Sequence, residues 1–299
     1  MVRHEVGALI ETLAEKHGML RAREILSAWA GLKSVRVGVS PADLASFAQI
    51  VETLGLAWRC SSRKYLGKRD TGKGGWSNKF GGTVSANSPG GDWLIYVARE
   101  AAAAEAARAA EEDNREFDFG SNLGIPACCA KFYLKYQDAA YAKQNDYVPF
   151  VLGQTAGSPP YDFRLNYITQ YFGYALISFF PCSFQCRPAA QIAQRTLELL
   201  QCYAPSLAAE TVRLQKCPVL YTEYRGVYLF EKTSWDAASG TLTYDPRAIH
   251  GTLSPHSAVF RKLRAARALA VESKNAVVIQ RSGKAVAALR GDNVSICLF

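Results

Sequence analysis

No stretch of this 299-residue chain approaches the ~20 consecutive apolar residues that a membrane span requires. Glu5, Glu11 and Glu15 break any hydrophobic core near the start, so the chain reads as lacking a signal peptide and as cytoplasmic, with no membrane partner. Neither a Gly-x-Ser-x-Gly elbow nor a Gly-x-Gly-x-x-Gly fingerprint occurs, which removes support for the common hydrolase and dinucleotide-binding readings. The segment Asp70-Thr-Gly-Lys-Gly-Gly lacks the first glycine and the hydroxyl residue of a phosphate-binding loop. The four histidines (His4, His17, His250 and His256) show no metal-ligand spacing, and no internal repeat is visible.

What the chain does have is cysteine, eight in all, on an ordinary globular composition of 49% hydrophobic and 20% charged residues. A reducing compartment disfavours reading them as disulfides. Four fall in two tight elements: Gly124-Ile-Pro126-Ala-Cys128-Cys129 and Phe179-Phe-Pro181-Cys182-Ser-Phe-Gln-Cys186. Each precedes a helical pattern, which places the thiols at helix N-termini, where unpaired N–H groups favour the thiolate. Gathering such thiolates requires a cation to offset their repulsion. Cys182 and Cys186, four apart, are expected on one helical face, whereas the neighbours Cys128 and Cys129 diverge by ~100° on a helix. A single ion would then take one of that pair more easily than both. Thiolate-only ligation suits an iron–sulfur cluster, of the 4Fe-4S type first, with zinc as the alternative. A redox dithiol and plain packing are the remaining readings. Cys60, Cys202, Cys217 and Cys297 are isolated and read as packing residues.

The pairing of Leu-Gly-Ile-Pro-x-Cys-Cys with Phe-Phe-Pro-Cys-Ser-x-x-Cys resembles a prokaryotic domain-of-unknown-function family over about residues 118–232, including Leu220-Tyr-Thr-Glu-Tyr-Arg-Gly-Val. The resemblance implies that Cys128, Cys129, Cys182 and Cys186 act together, and it carries no reaction. The first 115 residues have no counterpart in it.

The pattern predicts an α+β protein: helical N-terminal and central portions, then a small antiparallel β-rich C-terminal portion. Residues 1–115 form one region and 116–299 a second that holds the two cysteine elements. Helices are expected over most of the first 55 residues, with Ser40 capping and Pro41 opening one of them, and over 98–113, 127–144, 161–178, 182–202 and 257–273. Residues 117–126 and 145–160 read as loops. Strands are expected at 35–39, 93–97, 219–224, 226–231, 241–244, 276–281 and 284–289.

The glycine-rich segment 63–79 carries Arg63, Lys64, Lys68, Arg69, Lys73 and Lys79 against Asp70 alone. It reads as a solvated mobile loop, or else as a phosphate-tracking surface with Trp76 or Phe80 stacking on a base. Glu223, among tyrosines, is a candidate acid or base with a raised pKa, against the alternative of an exposed strand residue. Tyr167, Tyr171 and Tyr174 form an aromatic run at helical spacing that reads first as core packing, with Tyr171 the candidate proton donor beside a cluster. Lys131 and Arg187 flank the two cysteine elements as candidate contacts for an anionic substrate, with plain solvent exposure as the equal alternative. The leading reading is an iron–sulfur enzyme acting on a small molecule, with an electron donor or partner enzyme. The alternatives are a nucleic-acid-associated, RNA-modifying protein with a structural metal, to which the +9 net charge would contribute, and a zinc-stabilised interaction protein.

Overall fold

A computed structural model describes every residue except Met1, Trp76, Asn78, Ser158, Lys274 and Asp292. The suggested stacking role of Trp76 therefore lies outside the described residues. The chain is α+β. It opens with α1 (Arg3–His17), α2 (Met19–Trp29), β1 (Val35–Val39) and α3 (Leu44–Thr53), then β2 (Ala57–Cys60), β3 (Lys64–Gly67), β4 (Phe80–Val84) and β5 (Trp93–Ala98). Helices α4 (Ala101–Glu112), α5 (Glu116–Asn122), α6 (Ala127–Ala142) and α7 (Val148–Gln154) follow. Two 3-10 segments, Phe163–Leu165 and Tyr167–Phe172, lead to α8 (Arg187–Tyr203) and α9 (Pro205–Gln215). The last third holds β6 (Val219–Thr222), β7 (Val227–Phe230), β8 (Thr233–Asp236), β9 (Thr241–Tyr244), β10 (Ile249–Gly251), α10 (Ala258–Arg264), β11 (Ala268–Ser273), β12 (Ala276–Arg281), β13 (Lys284–Arg290) and β14 (Val294–Cys297).

The strands form antiparallel sheets ordered β1-β5-β2, β3-β4, β10-β7-β6-β14 and β13-β12-β11-β9-β8. Alternation sets the faces: Val35, Val37 and Val39 are buried while Arg36 and Gly38 are less so. One apolar cluster runs from Val6, Ile10 and Leu13 of α1 through Ile95 and Val97 to Leu197, Leu200 and Tyr221. Cys129 and Cys186 belong to it. A second cluster, built on Phe230, Leu242, Phe260, Leu269 and Ile279, lies under the C-terminal strands.

Several expectations are corrected. Ser40 and Pro41 sit in a turn whose Ser40 hydroxyl bonds Asp43, so α3 starts only at Leu44. Residues 117–126 are largely helical as α5, which buries little beyond Gly120 and so leaves no apolar stripe to read. Within 145–160 the helix α7 forms, with proline in its first turn. Residues 161–178 are not an α-helix. Buried Asn166 donates to the Gln215 carbonyl (2.9 Å), Thr169 donates to the Asn166 carbonyl (2.7 Å), and Gly173 turns left-handed, which together divert the backbone. The expected helix 257–273 ends at Arg264, because Ala268–Ser273 pairs between β9 and β12, tertiary pairing overriding a helix-favouring composition.

Segment 61–91 is no free loop. Gly226 N–H donates to the Gly72 carbonyl (2.8 Å), and a Cβ on Gly74 would lie 1.8 Å from the Thr252 carbonyl oxygen. Lys64 and Lys73 are buried, Lys64 donating to the Ser88 carbonyl. The basic glycine-rich stretch is docked on the β6–β7 hairpin.

Candidate metal centre

The first cysteine element begins where α5 ends. Gly124 N–H donates to the Ser121 carbonyl (3.0 Å) and Ile125 N–H to the Gly120 carbonyl (2.9 Å), a paired closure that needs a left-handed residue at position 124. Gly124 has φ +68°, and a Cβ there would sit 3.0 Å from Lys33 Cβ. Pro126 then caps α6, its carbonyl accepting from the N–H groups of Cys129 (2.8 Å) and Ala130 (2.9 Å). Cys128 and Cys129 thus fall in the first turn of α6.

The second element is a turn rather than the expected helix. Residues 182–186 precede α8, and Cys186 is its N-cap residue, with proline in the first turn. The turn is fixed from below by Phe184, fully buried against Tyr161, Tyr167 and Phe299. Phe184 N–H also donates to Thr155 Oγ1 (3.0 Å). This anchor carried no signal in the sequence beyond its aromatic character.

The four sulfurs meet. They lie within 4.8 Å of one another, and the group is able to hold a metal ion. Cys128 and Cys129 are 3.9 Å apart, Cys128 and Cys186 3.7 Å, and Cys129 and Cys186 3.6 Å. The divergence expected of neighbouring cysteines is overcome, so the geometry does not restrict the pair to one ligand. All eight cysteines are free thiols, with Cys217 and Cys297 buried and Cys60 and Cys202 half-buried. Hydrogen bonds from the Cys129 thiol, then from Ala189 N–H, Cys182 and Cys128, outweigh burial and hold Cys186 down at about 5. Burial and the Cys186 thiolate push Cys182 up to about 12. Cys129, donating to Cys186 and buried, is also raised. Without a cation, therefore, the group favours one thiolate solvated by its neighbours.

Two structures flank the centre. Arg23, Glu24 and Lys33 form a buried ionic trio: Arg23 to Glu24 is 2.9 Å and Lys33 to Glu24 2.8 Å. Arg23 donates to the Ala175 and Ile177 carbonyls and Lys33 to Ser178 Oγ, tying the strand of chain that enters the second element to α2. Beside Cys129 is a cavity of about 340 Å³ whose wall includes Arg36, Glu111, Glu116, Tyr133 and Phe180.

The other candidates lie elsewhere or outside. Glu223 is buried, not exposed, and just past the end of β6. Burial alone would raise its carboxyl, but Lys143 (2.6 Å), Tyr224 and Asn293 (2.5 Å) hold it below the usual range, opposite to the expected direction. Tyr171 is raised well above its ordinary value by burial and by Asp146, to which it hydrogen-bonds. Both belong to one buried polar network. Its centre is Lys73 Nζ, 2.8 Å from Asp146, 3.2 Å from Asp70 and 2.8 Å from the Glu223 carbonyl oxygen, with Tyr221 donating to Asp146 at 2.6 Å. Lys131 is exposed on α6. Arg187 is exposed beside Cys186 and lines a shallow groove with Arg164 and Arg195. His250 pairs with Glu231 (2.5 Å) at the surface, and His256 is exposed.

Comparison with family models, curated proteins and solved structures finds no match to this chain.

Proposed function

We propose that this chain is a metal protein in which Cys128, Cys129, Cys182 and Cys186 hold a single four-coordinate ion, zinc, that clamps the first turn of α6 to the start of α8. The spacing of the sulfurs carries this reading. Four thiolates at ~2.3 Å from one tetrahedral ion stand about 3.8 Å apart. The spacings among Cys128, Cys129 and Cys186, 3.6, 3.7 and 3.9 Å, fit that figure, and Cys182 completes a group no wider than 4.8 Å. Two helix N-termini converge on the group and complement the negative charge left when four thiolates meet one divalent ion. Four protein ligands fill a tetrahedral shell, so the ion's role is structural and any small-molecule chemistry belongs to the cavity beside Cys129.

An iron–sulfur cluster is the second reading, favoured by that cavity, where a substrate would meet the cluster. It calls for wider sulfur spacing, because the cluster's own atoms sit between the thiolates. The nucleic-acid reading is weakened by the burial of Lys64 and Lys73, which removes two cations from the phosphate-tracking set.

Elemental analysis of anaerobically purified protein beside Cys182→Ser tests the reading. Colourless protein holding about one zinc per chain, lost in the variant, is the expected result. Brown protein with iron and labile sulfide overturns the single-ion reading. Metal-free thiols in both proteins overturn the centre altogether.

A further inference from the structure

Between the start of α2, β1 and residues 170–178 lies an open cleft of about 450 Å³, lined among others by Arg21, Arg23, Arg36, Gln170 and Ser178. Two of its buried donors stand without an acceptor among the described residues. Arg23 is 2% exposed and spends its terminal nitrogens on Ala175, Ile177 and Glu24, yet its Nε has no partner among the described residues. Gln170 Nε2 is likewise buried without one. Arg21 gives Nε to the Gly38 carbonyl (2.6 Å) and Nη1 to the His17 carbonyl (2.7 Å), while Arg36 gives Nη1 to Glu111. Met19 and Leu20, in the first turn of α2, also face the cleft, and Gly18 at the N-cap has no side chain to satisfy their N–H groups.

The charge is also unbalanced. Of the three guanidiniums lining the cleft, Arg36 is paired with Glu111 and Arg23 with Glu24, which Lys33 also shares, while Arg21 has no ion pair among the described residues. Asp43 and Asp92 act on Arg21 from outside the lining. Buried donors left without acceptors are costly, and a cluster of like charges is costlier still. A ligand that brings oxygen acceptors and negative charge relieves both.

We propose that this cleft binds the phosphoryl group of a small molecule, held by Arg21, Arg23, Gln170 and the first turn of α2. Guanidinium forks match a tetrahedral dianion in charge and shape, and a helix N-terminus adds backbone donors. Arg36 and Ser178 line both this cleft and the cavity beside Cys129, so the body of the same molecule extends toward the cysteine centre. The inference stands on the cleft and is independent of which metal the cysteines hold.

Isothermal titration calorimetry of the full chain with inorganic phosphate, against acetate at matched ionic strength, tests it. Phosphate should bind saturably and acetate much more weakly. Arg21→Gln and Gln170→Glu should each weaken phosphate by about tenfold or more, the scale of a lost charge-assisted hydrogen bond. Arg247→Gln, at a side chain 91% exposed, should change nothing. Circular dichroism checks that each variant is folded, and Arg21→Gln alone decides if the buried-site variant is not. Absence of saturable heat in folded protein overturns the proposal. So does acetate binding as tightly as phosphate, and so does binding that survives the substitutions.

Discussion

Two buried polar centres in this molecule solve the same problem in opposite ways. Around Lys73, the protein supplies both signs: Asp70, Asp146 and the Glu223 carbonyl surround the ammonium, and Tyr221 satisfies Asp146 further. Around Cys186 the side chains that meet are all of one kind, three other thiols, with only the partial charge of two helix N-termini beside them. The first centre is complete as folded. The second, once its thiols ionise, lacks a counter-charge that no side chain among its members provides. A buried charge cluster that closes on itself reads as structure, whereas one that leaves a deficit reads as a site.

Removing the counter-charge should therefore have the largest effect. Structural zinc contributes on the order of 10 kcal/mol of apparent binding free energy. Chelation, or Cys186→Ser, should lower the thermal midpoint more than any single change in the Lys73 network, read by differential scanning calorimetry at fixed metal load. If chelation leaves the midpoint unmoved, the two centres are alike and the cysteines are packing residues.

Next comes the closed network. Lys73→Met strands two buried carboxylates, a loss of about 3–5 kcal/mol for breaking one partner of a buried pair. Adding Asp146→Asn should recover part of that loss, because the uncompensated charge is what costs. Denaturant unfolding of the single and double variants measures the coupling. Strictly additive losses would show that Lys73 and Asp146 do not act as a unit.

A smaller effect is expected at the approach to the four-cysteine group. Gly124→Ala forces a side chain into the left-handed region, at about 1–2 kcal/mol, and against Lys33 Cβ at 3.0 Å. Both stability and metal retention should fall together, because the same turn aims α6. Loss of stability with unchanged metal affinity would separate the turn from the centre.

How much of this was legible in the sequence depended on distance along the chain. The cysteine group was legible because proline and a helical pattern mark each element locally, and a helix N-terminus favours the thiolate. The hairpin at Ser282-Gly283 was legible for the same reason, with both residues at positive φ (50° and 74°) in a two-residue connection. Locally, Lys73 reads as solvated and Glu223 as a raised acid or an exposed strand residue, and both are buried and paired instead, because their partners lie far along the chain. No local pattern announces that Lys73 meets the backbone of residue 223. The 3-10 segments at 163–172 kept a helical tyrosine spacing while Asn166 and Thr169 were bonding elsewhere. The convergence of Cys128 with Cys129 also depends on the partner element, which sequence spacing alone does not place.

The gentlest probe of the comparison is proton concentration. Glu223 is held below the usual carboxylate range by Lys143, Tyr224 and Asn293 despite its burial. A depressed folded-state pKa adds stability above the unfolded value, about 4.3 for glutamate, and that contribution is lost as pH falls through the folded value. Wild-type stability should therefore fall on acidification through this window, and Glu223→Gln should show a shallower acid limb in urea unfolding. Glu24 is also depressed, and the cysteine thiolates also take up protons in acid, but both are present in the two proteins and cancel in the difference. The gap between the curves therefore belongs to Glu223. Parallel acid limbs would mean that its carboxyl has the same proton affinity folded and unfolded, and the closed network would then owe its stability to Lys73 and the two aspartates alone.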